Sequence, residues 1–406
     1  MKRVFCVVIS LALLMSNCII ASASTIHNPV KVGSTSVWDC IWFGEYPQSY
    51  ISSNNTLYPY FDTHFEISGW TFKENNNKVF HCGTYIKYWR IGTRAYFKFE
   101  PIKWRVLKVE GSKALVVSDK ILERVFYRYL PDGYNNKRIE IDPGDIDYTH
   151  WKQSAIREYM KNMFLNMFSS NEFDAILNTQ IKAKYPSKDE EIDETTLDDI
   201  FLISYEDANN SSYGFNMSDP NTIKAEATDL AKVRCHADER FEFEDWGYRL
   251  LTGGWIINQN GKAIQKNEYL LSGVRPAMWI DLSKANYQYA GTVKSDGTGT
   301  EILFNLGKSK VTKATKSSKK SKKLKVNIKA VTYADGQQVK VYTTKKKAKS
   351  NKKAIFNKKT TKINNKFKSK KFKNKKKLYV RARGYVKKNG KTKYGAWSKI
   401  KKVTKK

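Results

Sequence analysis

At Lys308 this chain changes from one kind of material to another. Over residues 308–406 it carries 39 lysines and arginines against a single acid, Asp335, so a fold there must be built with almost no internal ion pairs. The net charge of all 406 residues is +34, so the part before Lys308 is slightly acidic. Such different electrostatics, in a chain too long for one ordinary domain, predict separate folding units.

Apolar residues show how the cationic part can still fold. Leu324, Val326 and Ile328 alternate with polar neighbours, Val339 and Val341 repeat the pattern, and Tyr379-Val380-Arg381-Ala382-Arg383-Gly384-Tyr385 reads as a strand before the turn residues Asn389-Gly390. Gly395-Ala396-Trp397-Ser398 leads into a last strand. This period of two predicts a succession of strands over 324–406. Residues 283–323 are then a connecting segment, whose Lys-, Ser- and Thr-rich portion from 308 reads as a solvated linker.

At the other end, Lys2 and Arg3 precede the apolar run 4–14, and Ala21-Ser22-Ala23 has the small residues of a signal-peptidase site. The expectation is a signal peptide over 1–23, a linker over 24–36, and an exported protein with no transmembrane segment once the signal is removed. Cys40, Cys82 and Cys235 then remain, an odd number without CxxC spacing, which argues against zinc and against a dense disulfide framework. One bridge, Cys40 to Cys82, is expected because both lie in the same aromatic-rich region.

Between these ends, residues 37–282 predict an α+β domain with a mixed, mostly antiparallel sheet and short helices. Ile102, Trp104 and Val106 alternate with Lys103 and Arg105, and Gly111 turns the chain into the doubly apolar run Ala114-Leu115-Val116-Val117. Helical spacing links Ile156, Tyr159, Met160 and Met163. Ser169-Ser170-Asn171-Glu172 has the capping-box pattern, predicting a second helix with Phe173, Ile176 and Leu177 inside. The acidic stretch 189–199 reads as a solvated loop. Phe201-Leu202-Ile203 is a buried-type strand, and residues 246–257 read as a hairpin around Thr252-Gly253. The stretch 273–282 closes the domain as a central strand, with Pro276 expected at a bulge or strand start because it cannot donate to a ladder.

Phe43-Gly44-Glu45-Tyr46-Pro47-Gln48, Pro101-Ile102-Lys103-Trp104-Arg105-Val106-Leu107, Ala114 through Asp119, Trp151 through Arg157, Phe201-Leu202-Ile203-Ser204 and Gly273-Val274-Arg275-Pro276-Ala277 occur in an order that resembles an uncharacterised family of secreted domains from Gram-positive anaerobes. By remoter likeness that family is similar to the C-type-lectin and formylglycine-generating-enzyme fold. Tyr379 to Arg383 and Gly395 to Ser398 resemble fibronectin type III-like modules of bacterial surface proteins, which implies an all-β sandwich over 324–406. The lectin-like likeness implies a binding loop region, which places Tyr248, Arg249, Trp255 and Asn258 as candidate ligand contacts.

No catalytic constellation, metal site or cofactor follows from the residues. Cys235 and His236 are adjacent and would point apart on a helix or a strand. The expected function is therefore a non-catalytic, cell-surface or wall-associated binding protein for an extracellular ligand, carbohydrate being one class. Its Lys-rich part would attach to anionic wall polymer, which an exported chain meets before nucleic acid. An extracellular enzyme on the same scaffold and a structural spacer are the alternatives.

Overall fold

The computed structural model describes residues 26–51, 85–90, 93–127, 150–161, 168–186, 191–235, 247–251, 254–266, 271–329, 331, 334–388 and 391–405. The expected signal peptide, Cys82, Met163, His236 and the turn residues Thr252 and Gly253 lie outside them. The described chain is mostly β-strand with a few short helices. No helix among the described residues is long and apolar enough to cross a membrane.

Nine strands form the largest sheet. Its main path runs from Val30–Val32 through Thr35–Ile51, Thr93–Glu110, Lys113–Ser118 and Pro276–Asp281 to Phe201–Leu202; Gln288–Lys294, Tyr85–Arg90 and Ile176–Leu177 pair beside it. The hairpin read from the alternation at Ile102 forms around Gly111, whose φ of 58° suits a residue without a side chain. A second sheet runs Ala263–Gln265, Trp255–Ile257, Tyr248–Arg249, Leu271–Val274, Glu123–Phe126.

One chain segment serves both sheets. Leu271–Val274 belongs to the second and Pro276–Asp281 to the first, with Arg275 as the single residue between them. Pro276 therefore starts a strand, where its missing N–H does least harm. Val274, Ala277, Met278 and Ile280 are fully enclosed, so the closing stretch is central as its apolar faces suggested. Gly273 pairs in parallel with Tyr248 and donates its N–H to the Gly247 carbonyl; a Cβ on Gly273 would come within 2.5 Å of that carbonyl oxygen, which is why this close approach needs glycine.

Several expectations are corrected. The capping box at Ser169 and Glu172 forms, but its helix is only Ser170–Phe173; Phe173 is exposed, and Ile176–Leu177 is a strand on Trp279 and Ile280. One helical turn cannot propagate against the pairing offered by that strand. The acidic stretch is no loop: Glu191–Asp198 pairs with Thr179–Pro186 along its whole length. Buried Asp198 takes hydrogen bonds from Trp151 Nε1 and Arg157 Nε, both at 2.8 Å. Cys40 is a free, buried thiol rather than half of a bridge, and burial pushes its pKa up to about 12.

The connecting segment is also structured. Gln288–Lys294 pairs with the first sheet, and Lys310–Lys316, within the expected linker, pairs with Lys323–Lys329. A bulge after Val311 turns both Val311 and Ala314 inward despite the lysines around them. Lys316 is buried too, its Nζ donating to the Phe372 and Lys319 carbonyls.

This cationic module has two sheets. One runs Asn364–Lys368, Lys323–Lys329, Lys310–Lys316, Thr404–Lys405; the other runs Phe356–Thr360, Gly336–Tyr342, Tyr379–Lys388, Lys391–Tyr394, with Lys401–Lys402 also on Tyr379–Lys388. Both contribute to one apolar cluster that includes Leu324, Val326, Phe367, Val339, Val341, Val380 and Ala382. The cluster of the earlier residues, from Ile26 to Ile280, is separate.

Candidate functional site

Alternation along Thr93–Glu110 places Lys103 and Arg105 on one face while Ile102, Trp104 and Val106 are enclosed on the other. The neighbouring strand ends at Ser118, which delivers Asp119 to the same place. Arg105 Nε donates to Asp119 Oδ1 at 2.6 Å, and Lys103 Nζ lies 3.7 Å from Oδ2. Burial alone would raise the Asp119 pKa; Arg105, Lys103 and the more distant Arg275 outweigh it and hold the carboxyl at about 2. Asp119 is thus an anion held among three cations.

Arg275 lies fully buried behind this group. Its Nε donates to the Ser118 carbonyl at 2.9 Å, and Nη1 donates to the Ile223 carbonyl at 2.9 Å and to the Tyr248 hydroxyl at 3.0 Å. Nη2 has no hydrogen-bond partner among the described residues. Burial lowers the Arg275 pKa, and the rings of Tyr248 and Phe215 lie 5.0 and 5.8 Å from its guanidinium carbon. A parallel contact joins Arg105 to Trp38 at 5.1 Å.

Two cavities open from Lys103, Asp119, Lys120 and Glu301. The larger, about 550 Å³, extends over Arg105, Asn221, Lys224, Glu226 and Gln259 to the turn around Gly297. The smaller, about 310 Å³, extends past Trp42, Gln48, Ser49, Glu100 and Phe304 to Asp335 and Lys387 of the cationic module. Lys98 Nζ meets Asp335 at 2.8 Å on its wall. Mixed charge with one or two rings suits a polar ligand held by many directed hydrogen bonds. Among the described residues no group of three or more His, Cys, Asp or Glu side chains could hold a metal ion.

The four sequence-derived candidates are placed differently. Tyr248 is buried and donates its hydroxyl to the Ile223 carbonyl at 2.7 Å, so it belongs to the Arg275 group. Arg249, next along the strand, turns to the opposite face; it is also buried, donating to the Lys266 carbonyl and to Ser272 Oγ beside the Tyr127 ring. Trp255 is partly buried against Tyr205, with centroids 4.9 Å apart. Asn258 Oδ1 accepts from the N–H groups of Asn260 and Lys262 and so shapes a turn, while its neighbour Gln259 lines the larger cavity. The four do not share one surface. Lys103, Arg105, Asp119 and Arg275 were not singled out by the sequence, although the i, i+2 pair of bases beside a strand ending in Asp was visible in it.

Residues 111–282 match the model of a domain of unknown function (DUF6273). The matched segment ends where the closing strand ends and contains Asp119, Arg275 and all four candidates. It leaves out the strands that carry Trp38, Lys103 and Arg105, and the whole cationic module. No curated protein matches the chain, and no solved structure matches it.

Proposed function

We propose that this is an exported, envelope-associated binding protein, non-catalytic, in which a lectin-like domain over 37–282 takes an extracellular ligand and a fibronectin type III-like module over 324–406 attaches to anionic wall polymer. One observation carries the reading: the module encloses an ordinary apolar core yet presents its lysines outward without acidic partners. On Lys323–Lys329 and Asn364–Lys368 buried and exposed residues alternate, and the exposed ones are almost all lysine. Self-repulsion on this scale is relieved by a bound polyanion. Two sheets of four and five strands around a shared core agree with the module's sequence likeness. The Asp119 cavities are the place for the first domain's ligand, a glycan being the class with matching demands on polar and ring contacts.

The test is binding of the full chain to purified wall polymer across a salt series. Affinity should fall by about a hundredfold or more between 0.05 and 0.5 M salt if several phosphates are neutralised. A flat response removes the electrostatic attachment. A glycan array run beside hydrolase and oxidase assays tests the first domain, where turnover without saturable binding would favour an enzyme instead.

A further inference from the structure

Of the 39 cationic residues over 308–406 only two are arginines, Arg381 and Arg383, and both lie on the face away from the core in the sheet built on Gly336–Tyr342 and Tyr379–Lys388. Val339, Val341, Val380 and Ala382 point into the core, so the alternate residues Gln338, Lys340, Arg381 and Arg383 lie on the opposite face, where Gln338 is buried and the three cations are half-buried. Lys340 pairs in register with Arg381, and Gln338 with Arg383. Like charges directly opposite destabilise a strand pair, yet the sheet keeps them there.

Aromatic rings separate these cations. The Arg383 guanidinium carbon lies 3.9 Å from the Tyr394 centroid and 4.5 Å from that of Trp397. Trp397 also has Lys340 Nζ at 5.2 Å and the Arg381 guanidinium at 5.7 Å. Lys359 Nζ lies 5.1 Å from Tyr385 and 5.3 Å from Tyr394. The cations are held in place by neutral acceptors: Arg381 Nε donates to the Ser398 carbonyl and its Nη1 to the Ala348 carbonyl, which leaves Nη2 for a ligand. Among the described residues Arg383 donates only through Nε, to Gln338 Oε1, and Lys359 Nζ donates to Thr392 Oγ1. None has a carboxylate partner among the described residues. The module's one acid, Asp335, is already taken by Lys98 and by the N–H of Lys387.

We infer that this outward face, rather than the lysine coat as a whole, is the recognition track for the polyanion, and that the polyanion is a linear phosphodiester polymer whose repeats carry no stacking base. The inference rests on the polyanion reading above and adds its site and class. Arginine presents paired N–H donors that fit phosphate oxygens, and neither Nη of Arg383 has an acceptor among the described residues. Alternate residues on a strand are about 6.8 Å apart, so Arg381 and Arg383 can meet successive anionic groups of an extended chain. Single-stranded nucleic acid is held by stacking bases on open aromatic faces. Here cations crowd Tyr394 and Trp397, which favours a polymer recognised through its phosphates alone.

The experiment uses the full chain and synthetic poly(glycerol phosphate) at about 0.15 M salt, with oligo(dT) of equal phosphate number in parallel. R381K/R383K preserves charge and is expected to weaken poly(glycerol phosphate) binding about tenfold, the loss of a paired-donor contact. K325Q/K366Q, which removes two charges from the other sheet, is expected to change it less than about threefold. R383K alone, whose side chain bonds only to another side chain, guards against misfolding of the double variant and should weaken binding in the same direction. If wild type binds and R381K/R383K and R383K bind equally well, or K325Q/K366Q loses as much, the track is wrong while polyanion attachment stands. Tighter binding of oligo(dT) overturns the polymer class. No binding of wild type to either probe overturns the attachment itself, and the track with it.

Discussion

Around Asp119 the first half of the chain brings charge inside and pairs it; on Lys323–Lys329 and Asn364–Lys368 the second half lines up like charges outside. In the first, Glu123 is enclosed and accepts from the hydroxyls of Tyr46 and Tyr159, Asp198 accepts from Trp151 and Arg157, and Asp119 holds Arg105. In the second, Lys323 faces Lys368 and Lys325 faces Lys366 directly across the ladder. The difference teaches what charge is for in each. Inside, a charge has one geometry and helps specify the packing; outside, it leaves the packing to Leu324, Val326 and Phe367 and acts on whatever approaches.

If that contrast is right, the largest effect belongs to the most deeply enclosed charge. Arg275→Ala should destabilise the first domain by about 3–5 kcal/mol, since it opens a cavity and takes away the Arg275 donor of the enclosed Ser118 carbonyl, and denaturant unfolding followed by tryptophan fluorescence would measure it. A loss below about 1 kcal/mol would erase the distinction between the halves. Asp119→Asn should cost about 3 kcal/mol by leaving Arg105 and Lys103 uncompensated.

Asp119 also sharpens the contrast through pH. Its folded pKa is lowered from 3.8 to about 2, so its stabilisation is present above about pH 4 and is lost as pH falls toward 2. The shift corresponds to about 2 kcal/mol. Acid titration of wild type against Asp119→Asn should show that part of the decline missing in the variant. The cationic module should behave oppositely to mutation: K323Q/K325Q/K366Q/K368Q is expected to stabilise it by about 1 kcal/mol at low salt, a gain that shrinks in 1 M salt. Smallest is Asp335→Asn, which removes the ion pair to Lys98 and should cost about 0.5 kcal/mol in thermal unfolding.

Strand alternation was readable wherever burial was one-sided, as at Ile102 to Val106 and at Leu324 to Ile328, because a period of two leaves a direct imprint. The closing stretch at Gly273 was readable as central, and Pro276 as a bulge, an unpaired flank or a strand start, since its missing donor restricts it; which of these holds is decided by the partner strands. Ile176 and Leu177 were not readable as a strand. Their spacing from Phe173 is helical, and only the vacant side of Trp279 and Ile280, distant in sequence, decides their state. Lys310–Lys316 was hidden by its own lysines, which obscure two inward residues. Asp119 and Arg275 escaped notice for a related reason: their partners lie on other strands, and no local pattern marks a charge as enclosed. Tyr248 and Arg249 were placed by likeness to a binding loop, whereas backbone pairing with Trp255–Ile257 turns them into the interior.

The handover at Arg275 has a consequence for how the first domain opens. Because consecutive residues are clamped in different sheets, neither sheet can peel away without dragging the other, so amides on the two sides of this residue should exchange with deuterium at one common, slow rate. A proline that begins a strand then acts as a hinge pin, and the domain breathes as a single unit or not at all.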